Sequence, residues 1–140
     1  MKRLLIAAAL ALGITAIAAA QIKRTPSPAG AELYFIAPAD GATVASPVTI
    51  KFGLKGMGVA PAGIAFEGAG HHHLIIDADL PPLDMPIPAD ANHVHFGKGQ
   101  TETTIELKPG KHTLQLLLGD KLRVPHDPAL VSKKITITVK

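Results

Sequence analysis

Residues 70–77 read Gly-His-His-His-Leu-Ile-Ile-Asp, so three histidines run directly into an apolar segment with two isoleucines. β-Branched residues such as isoleucine favour a β-strand, in which successive side chains point to opposite faces. His72 then shares a face with Leu74 and Ile76, and we expect this face to be the more buried one. The stretch predicts a strand with histidine on both of its faces.

Six further segments carry strand signals, and the connections between them are rich in Gly, Pro and Asp, which favour turns. Every second residue of 48–54 is apolar, as a half-buried strand requires. The candidate strands are residues 32–36, 48–54, 71–77, 92–96, 101–107, 112–118 and 131–139. Seven short strands without a convincing helix predict an all-β fold, an antiparallel β-sandwich of the immunoglobulin-like type.

The N-terminal residues predict an export signal. Lys2 and Arg3 form a positive region, residues 4–17 are apolar, and three alanines at 18–20 match a small-residue cleavage site. We therefore expect a periplasmic or secreted protein with no stable membrane span after signal cleavage; an uncleaved signal would be the alternative and would act as a membrane anchor. The predicted segments are a signal peptide over residues 1–20, a flexible lead-in over residues 21–31 and the sandwich domain over residues 32–140.

Composition excludes several classes of function. The 140 residues include no cysteine, so disulfides and thiolate metal ligands are excluded. The formal charge of +3 falls to +1 without the two basic residues of the signal, and no basic stripe with interleaved aromatic residues occurs, which argues against a nucleic-acid partner. Neither a nucleophile elbow nor a phosphate-binding loop is present, so we expect no enzyme. A redox role on a bound metal is the remaining enzymatic alternative.

Two pairs of histidines follow a His-x-His pattern. His71 and His73 lie two apart on one predicted strand, and His93 and His95 lie two apart on the next, so each pair shares a face. Successive strands of a sandwich run up and down, which brings both pairs to the same end. Imidazole suits copper, zinc and nickel. The sequence therefore predicts a transition-metal site, with copper or zinc as the ion.

Two further residues are candidate ligands at that end. His126 lies in a loop beside Asp127. Asp127 could orient the His126 ring for metal binding. Alternatively, His126 simply caps the loop. Met57 also lies in a loop, and its thioether would favour copper, although loop methionines more often pack against the core. His112 falls at the opposite end, where we expect a hydrogen bond to the backbone. His72 is expected to be structural.

The histidines also have interpretations without a metal. They could form a hydrogen-bond network that stiffens one end of the sandwich, or a proton-sensitive patch that titrates near about pH 6. The protein would then be a non-catalytic module that interacts with another protein of the cell envelope, instead of one that captures or delivers metal. Convergence of ring nitrogens on one point separates the metal site from these alternatives.

Several blocks of the chain resemble a known family. They are GHHHLIID at residues 70–77, NHVHFGKGQTE at residues 92–102 and PGKHTLQL at residues 109–116. These blocks are similar to an exported bacterial domain family, domain of unknown function 4399, and the resemblance extends from about Leu33 to Val139. It implies a small periplasmic or secreted domain and carries no activity with it.

Overall fold

The computed structural model describes residues 13–140, so the predicted signal peptide, residues 1–20, lies largely outside the described part of the chain. No helix able to cross a membrane occurs within residues 13–140. The nine strands of this part are β1 Glu32–Ala37, β2 Thr43–Val44, β3 Val48–Lys55, β4 Gly58–Val59, β5 Ala69–Ile76, β6 His93–His95, β7 Glu102–Ile105, β8 Gly110–Gly119 and β9 Ile135–Val139.

The strands form two sheets, and the predicted all-β sandwich is confirmed. The first sheet has the order β1-β3-β7 and is antiparallel. The second has the order β2-β9-β8-β5, and both β4 and β6 also pair with β5. β2 pairs with β9 in parallel, whereas β5, β8 and β9 pair antiparallel. One sheet thus carries the first, second and fifth strands of an immunoglobulin-like fold, and the other carries its third, sixth and seventh.

The main apolar core lies between the two sheets. Ile50 and Phe52 of β3 pack in one buried cluster with Leu74, Leu116 and Leu118 of the second sheet. Along most of β3, buried residues alternate with exposed ones, because only one face of this strand meets the opposite sheet. The apolar alternation seen in the sequence is therefore the core face of the first sheet.

Strand β5 is buried along its whole length, Ala69–Ile76. The expectation that one face of this strand is more buried than the other is therefore wrong. One face looks into the main core. On the other, Ile75 packs with Leu117 of β8 and with Ile87 from the proline-rich connection over residues 78–91. Loops cover this outer face, and a loop that covers a sheet leaves no periodic pattern in the sequence.

Residues 24–28, within the expected flexible lead-in, contact the loop that follows β8. The Thr25 hydroxyl donates a hydrogen bond of 2.8 Å to the Asp120 carboxylate, and the Ser27 backbone N–H donates to the Asp127 carbonyl at 3.2 Å. These contacts hold the segment against the sandwich domain.

Candidate metal centre

Three histidines meet on the outer face of the second sheet, and we call them the histidine cluster: His71 and His73 of β5 and His95 of β6. Each offers a ring nitrogen, and these three nitrogens all lie within 4.8 Å of one another. The Nε2 atoms of His71 and His95 are 3.1 Å apart. The histidine cluster could therefore hold a metal ion.

Strand pairing brings these rings together. His71 and His73 are two residues apart and so share a face, while the antiparallel register of β5 and β6 places His95 directly opposite His73. The ring centroids are 4.7 Å apart for His71 and His73, 4.9 Å for His71 and His95, and 5.0 Å for His73 and His95. Both His-x-His pairs were expected to meet at one end of the sandwich, whereas the pairing of adjacent strands in one sheet brings these three rings together.

The spacing is close to what one ion requires. Two nitrogens that each lie about 2.1 Å from a zinc ion can be no more than about 4.2 Å apart. Because the three nitrogens already lie within 4.8 Å of one another, small rotations of the rings would complete the site. Three protein ligands would leave a fourth coordination position for an external ligand.

Two glycines make room for the rings. A Cβ at Gly97 would lie 2.6 Å from Cε1 of His95, and a Cβ at Gly119 would lie 2.8 Å from Cε1 of His73. Both distances are too short for a real contact, so only glycine fits beside each ring in this arrangement. Sequence reasoning missed both residues, since nothing in their position marks them as neighbours of a ring.

Burial keeps the histidine cluster uncharged at neutral pH. The pKa of His71 is lowered to about 4, mainly by burial and to a smaller extent by the nearby His95 ring. The pKa of His73 is lowered to about 3, mainly by burial and to a smaller extent by the His71 and His95 rings. The pKa of His95 is lowered by burial and then by the Arg123 guanidinium. Neutral imidazole is the form that binds metals, and each neutral ring has one unprotonated nitrogen that could bind an ion.

Several ring nitrogens of the histidine cluster have no hydrogen-bond partner. Nδ1 of His71 and both ring nitrogens of His73 are buried without one. A buried polar group without a partner costs about 1–3 kcal/mol. A hydrogen-bond network would have satisfied these nitrogens, whereas a bound ion would give His73 a partner. The unpartnered nitrogens of His73 are thus compatible with a metal site.

His93 lies apart from the histidine cluster, although it shares a face of β6 with His95. It sits opposite Ile75 in the ladder, and its Nδ1 is 2.7 Å from Oδ1 of Asp90. The His93 ring is therefore held by the Asp90 carboxylate, and it is not part of the group whose nitrogens lie within 4.8 Å of one another. Of the four imidazoles predicted as ligands, the structure brings three together.

The two outer candidates, His126 and Met57, do not reach the histidine cluster. A Cβ at Gly70 would lie 2.9 Å from Cε1 of His126, and Gly70 alternates with His71, which places His126 on the core-facing side of β5. Met57 is partly buried and packs against the main core. Both side chains lie on the other side of the second sheet from the cluster.

The remaining two histidines have structural surroundings, as expected. The His72 ring is buried in the core, 5.0 Å from the Phe52 ring between centroids, and burial lowers its pKa to about 4. His112 donates from Nε2 to the Lys108 carbonyl at 2.7 Å, which confirms the backbone contact predicted for it. Its Nδ1 lies 2.7 Å from Oδ2 of Asp77.

Comparison with known protein families finds one match. The model of a family described as a domain of unknown function, DUF4399, matches residues 50–140 and so includes all three residues of the histidine cluster. No curated protein and no solved structure gives a significant match to the chain.

Proposed function

We propose that this chain, which belongs to the DUF4399 family, binds one transition-metal ion through His71, His73 and His95. The ion is copper or zinc, and the protein captures or delivers it without a catalytic step. One observation carries the proposal: three neutral ring nitrogens lie within 4.8 Å of one another on a buried sheet face.

The donor set supports copper or zinc. Neutral imidazole suits these ions, whereas calcium and magnesium require oxygen ligands. The cluster contains three histidines and no carboxylate. Met57 packs against the main core, so it does not supply the thioether that would have favoured copper over zinc. Direct comparison of the two ions is therefore the informative experiment.

The N-terminal sequence supports a location outside the cytoplasm. Its basic start, apolar stretch and small-residue cleavage site are those of an export signal. We propose that the mature protein works in the periplasm or as a secreted protein, where it would bind copper or zinc that has left or not yet entered the cytoplasm.

Interaction with another envelope protein is a second candidate function, and exposed apolar side chains favour it. Ile64, Phe66 and Leu122 are 55%, 72% and 61% exposed. The loops that carry them are joined by a hydrogen bond of 2.9 Å from the Gly63 N–H to the Lys121 carbonyl. Exposed apolar side chains on two joined loops are typical of contact surfaces. This function would stand without any metal.

Calorimetric titration of the exported protein, purified without a histidine tag, tests metal binding. Zn(II), Cu(II) and Cu(I) would be titrated into the wild type, His95→Ala and His93→Ala. We expect one-to-one binding that weakens at least about a hundredfold in His95→Ala, because one of three ligands is lost, and that is unchanged in His93→Ala. His93 is a matched control, since it is the same residue type on the same face of β6.

Two results would contradict metal binding by the histidine cluster. One is the absence of any binding tighter than tens of micromolar for all three ions. The other is an equal loss of affinity in His93→Ala and His95→Ala. Either result would leave interaction with an envelope protein as the better proposal, with the cluster as a structural feature.

A further inference from the structure

The side chain of Arg123, a residue next to the histidine cluster, is the feature from which this inference starts. It is partly buried, and among residues 13–140 no side-chain hydrogen bond or ion pair involves its guanidinium. The Arg123 charge contributes to the lowered pKa of His95 after burial, and to that of His73 after burial and the His71 and His95 rings. The Arg123 charge is therefore close enough to the His73 and His95 rings to affect both of them.

The backbone of Arg123 is held by hydrogen bonds in an unusual conformation. Its φ is 64°, in the left-handed region that residues with side chains seldom adopt. Its N–H donates to the Asp120 carbonyl at 2.8 Å, and its carbonyl accepts from the Ile87 N–H at 2.8 Å. A Cβ at Gly119 would lie 3.2 Å from the Arg123 Cα and 2.8 Å from the His73 ring, so Arg123 directly borders the cluster.

The Asp120 carboxylate, in the same turn as Arg123, already accepts hydrogen bonds from other groups. Oδ1 of Asp120 accepts hydrogen bonds from the backbone N–H groups of Leu122 and Val124 at 2.9 and 3.0 Å. Its Oδ2 accepts from the Thr25 hydroxyl at 2.8 Å. Asp120 thus fixes the turn and the N-terminal segment, and it leaves the guanidinium of Arg123 free to bind something else.

We propose that the metal-loaded histidine cluster binds a small carboxylate or oxyanion, held jointly by the ion and by Arg123. This inference rests on the proposed function. A divalent ion on three neutral imidazoles would add two positive charges beside that of Arg123, and Asp120 offsets only one. Excess charge at a partly buried site favours an anion, and the planar guanidinium binds carboxylates and oxyanions in bidentate fashion. The fourth coordination position is where such an anion would meet the ion.

Formate, the smallest carboxylate, is the probe for this site. The wild type would be loaded with one equivalent of Co(II), a coloured substitute for zinc, and titrated with formate in chloride-free buffer while the visible spectrum is recorded. Arg123→Asn removes the charge, and asparagine tolerates the left-handed backbone. Lys121→Gln is the matched control, because Lys121 is an exposed cation of the same turn.

We expect saturable formate binding by the wild type and Lys121→Gln, and binding weakened at least about tenfold in Arg123→Asn. Arg123→Asn should bind Co(II) at least as tightly as the wild type, because a repelling charge is gone. Co(II) binding without any formate binding in the wild type, or with equal formate affinity in Arg123→Asn, would overturn only the anion site. Failure of the wild type to bind Co(II) would overturn the proposed function and the anion site together.

Discussion

The Nε2 atoms of His71 and His95 lie 3.1 Å apart, although the two residues belong to different strands. At this distance one ring donates a hydrogen bond from its Nε2–H and the Nε2 of the other ring accepts it. The tautomers of the two rings are therefore linked in the metal-free protein. If both rings bind a metal ion through Nε2, the donor ring must carry its proton on Nδ1 instead. Since both rings are neutral at pH 7, binding requires a change of tautomer and little release of protons.

Metal affinity should change little between about pH 7.5 and pH 6. The pKa values of His71 and His73 are about 4 and about 3, and that of His95 is lowered as well. Protons therefore begin to compete with the ion below the ordinary histidine pKa of about 6.5. Three ordinary imidazoles would lose on the order of a thousandfold in affinity by pH 5.5. Zinc titrations across this range measure the difference, and a steep loss that begins at pH 6.5 would contradict neutral, buried ligands.

Alanine at Gly119 should weaken metal binding by at least about tenfold, because the added methyl group would displace the His73 ring from the cluster. The Cβ would lie 2.8 Å from that ring. Gly58→Ala is the matched control, since the nearest atom to its Cβ would be the Ala69 Cβ at 4.0 Å. Calorimetric zinc titration of the two variants is the measurement. Equal affinity in both would show that Gly119 does not shape the site.

Leucine in place of His72 should stabilise the metal-free protein by about 1–3 kcal/mol, because both ring nitrogens of His72 are buried without a partner. The free energy of unfolding, measured with urea at pH 7, tests this expectation. Zinc affinity should be unchanged, since His72 lies on the face of β5 opposite His71 and His73. A less stable variant would mean that the ring has a partner that stabilises it.

The same variant should respond less to acid. The pKa of His72 is about 4 in the folded protein and about 6.5 in an unfolded chain. Between these values the unfolded state binds more protons, so stability falls as the pH decreases from about 6.5 towards 4. His71 and His73 contribute in the same direction. The loss of unfolding free energy from pH 7 to pH 5 should therefore be smaller in His72→Leu, and equal losses in both proteins would contradict the low pKa.

The pair of His112 and Asp77 should show the opposite pH dependence. The hydrogen bonds to Asp77 and to the Lys108 carbonyl raise the pKa of His112. A raised pKa gives stability that is complete below about pH 6.5 and is lost as the pH rises through the higher folded value. Because the Asp77 side chain is 41% exposed, we expect a coupling of about 1 kcal/mol. A double-mutant cycle with His112→Gln and Asp77→Asn at pH 6 and pH 9 measures it, and equal coupling at both would contradict this account.

The sandwich could be predicted because its core faces leave a period of two in the sequence. Ile50 and Phe52 alternate with polar or small residues, and the proline-rich and glycine-rich stretches separate the strands clearly. The burial of Ile75 could not be predicted in this way. Its partner Ile87 lies in a connection without regular structure, and the contacts of such a connection have no sequence period.

The site was only partly predictable for a related reason. Periodicity assigns His93 and His95 to the same face, so it cannot decide which of them meets His73. That choice depends on the register between β5 and β6, and a shift by two residues would preserve every face. The position of β6 beside β5 also depends on tertiary packing, because a strand of three residues carries too little pattern to name its neighbour.

Binding of one ion by His71, His73 and His95 is tested most directly by anomalous diffraction from crystals grown with one equivalent of zinc. We expect a single strong peak about 2.0–2.1 Å from one ring nitrogen of each of the three residues. A peak beside His93 and Asp90, or no peak between the three rings, would contradict metal binding by the histidine cluster.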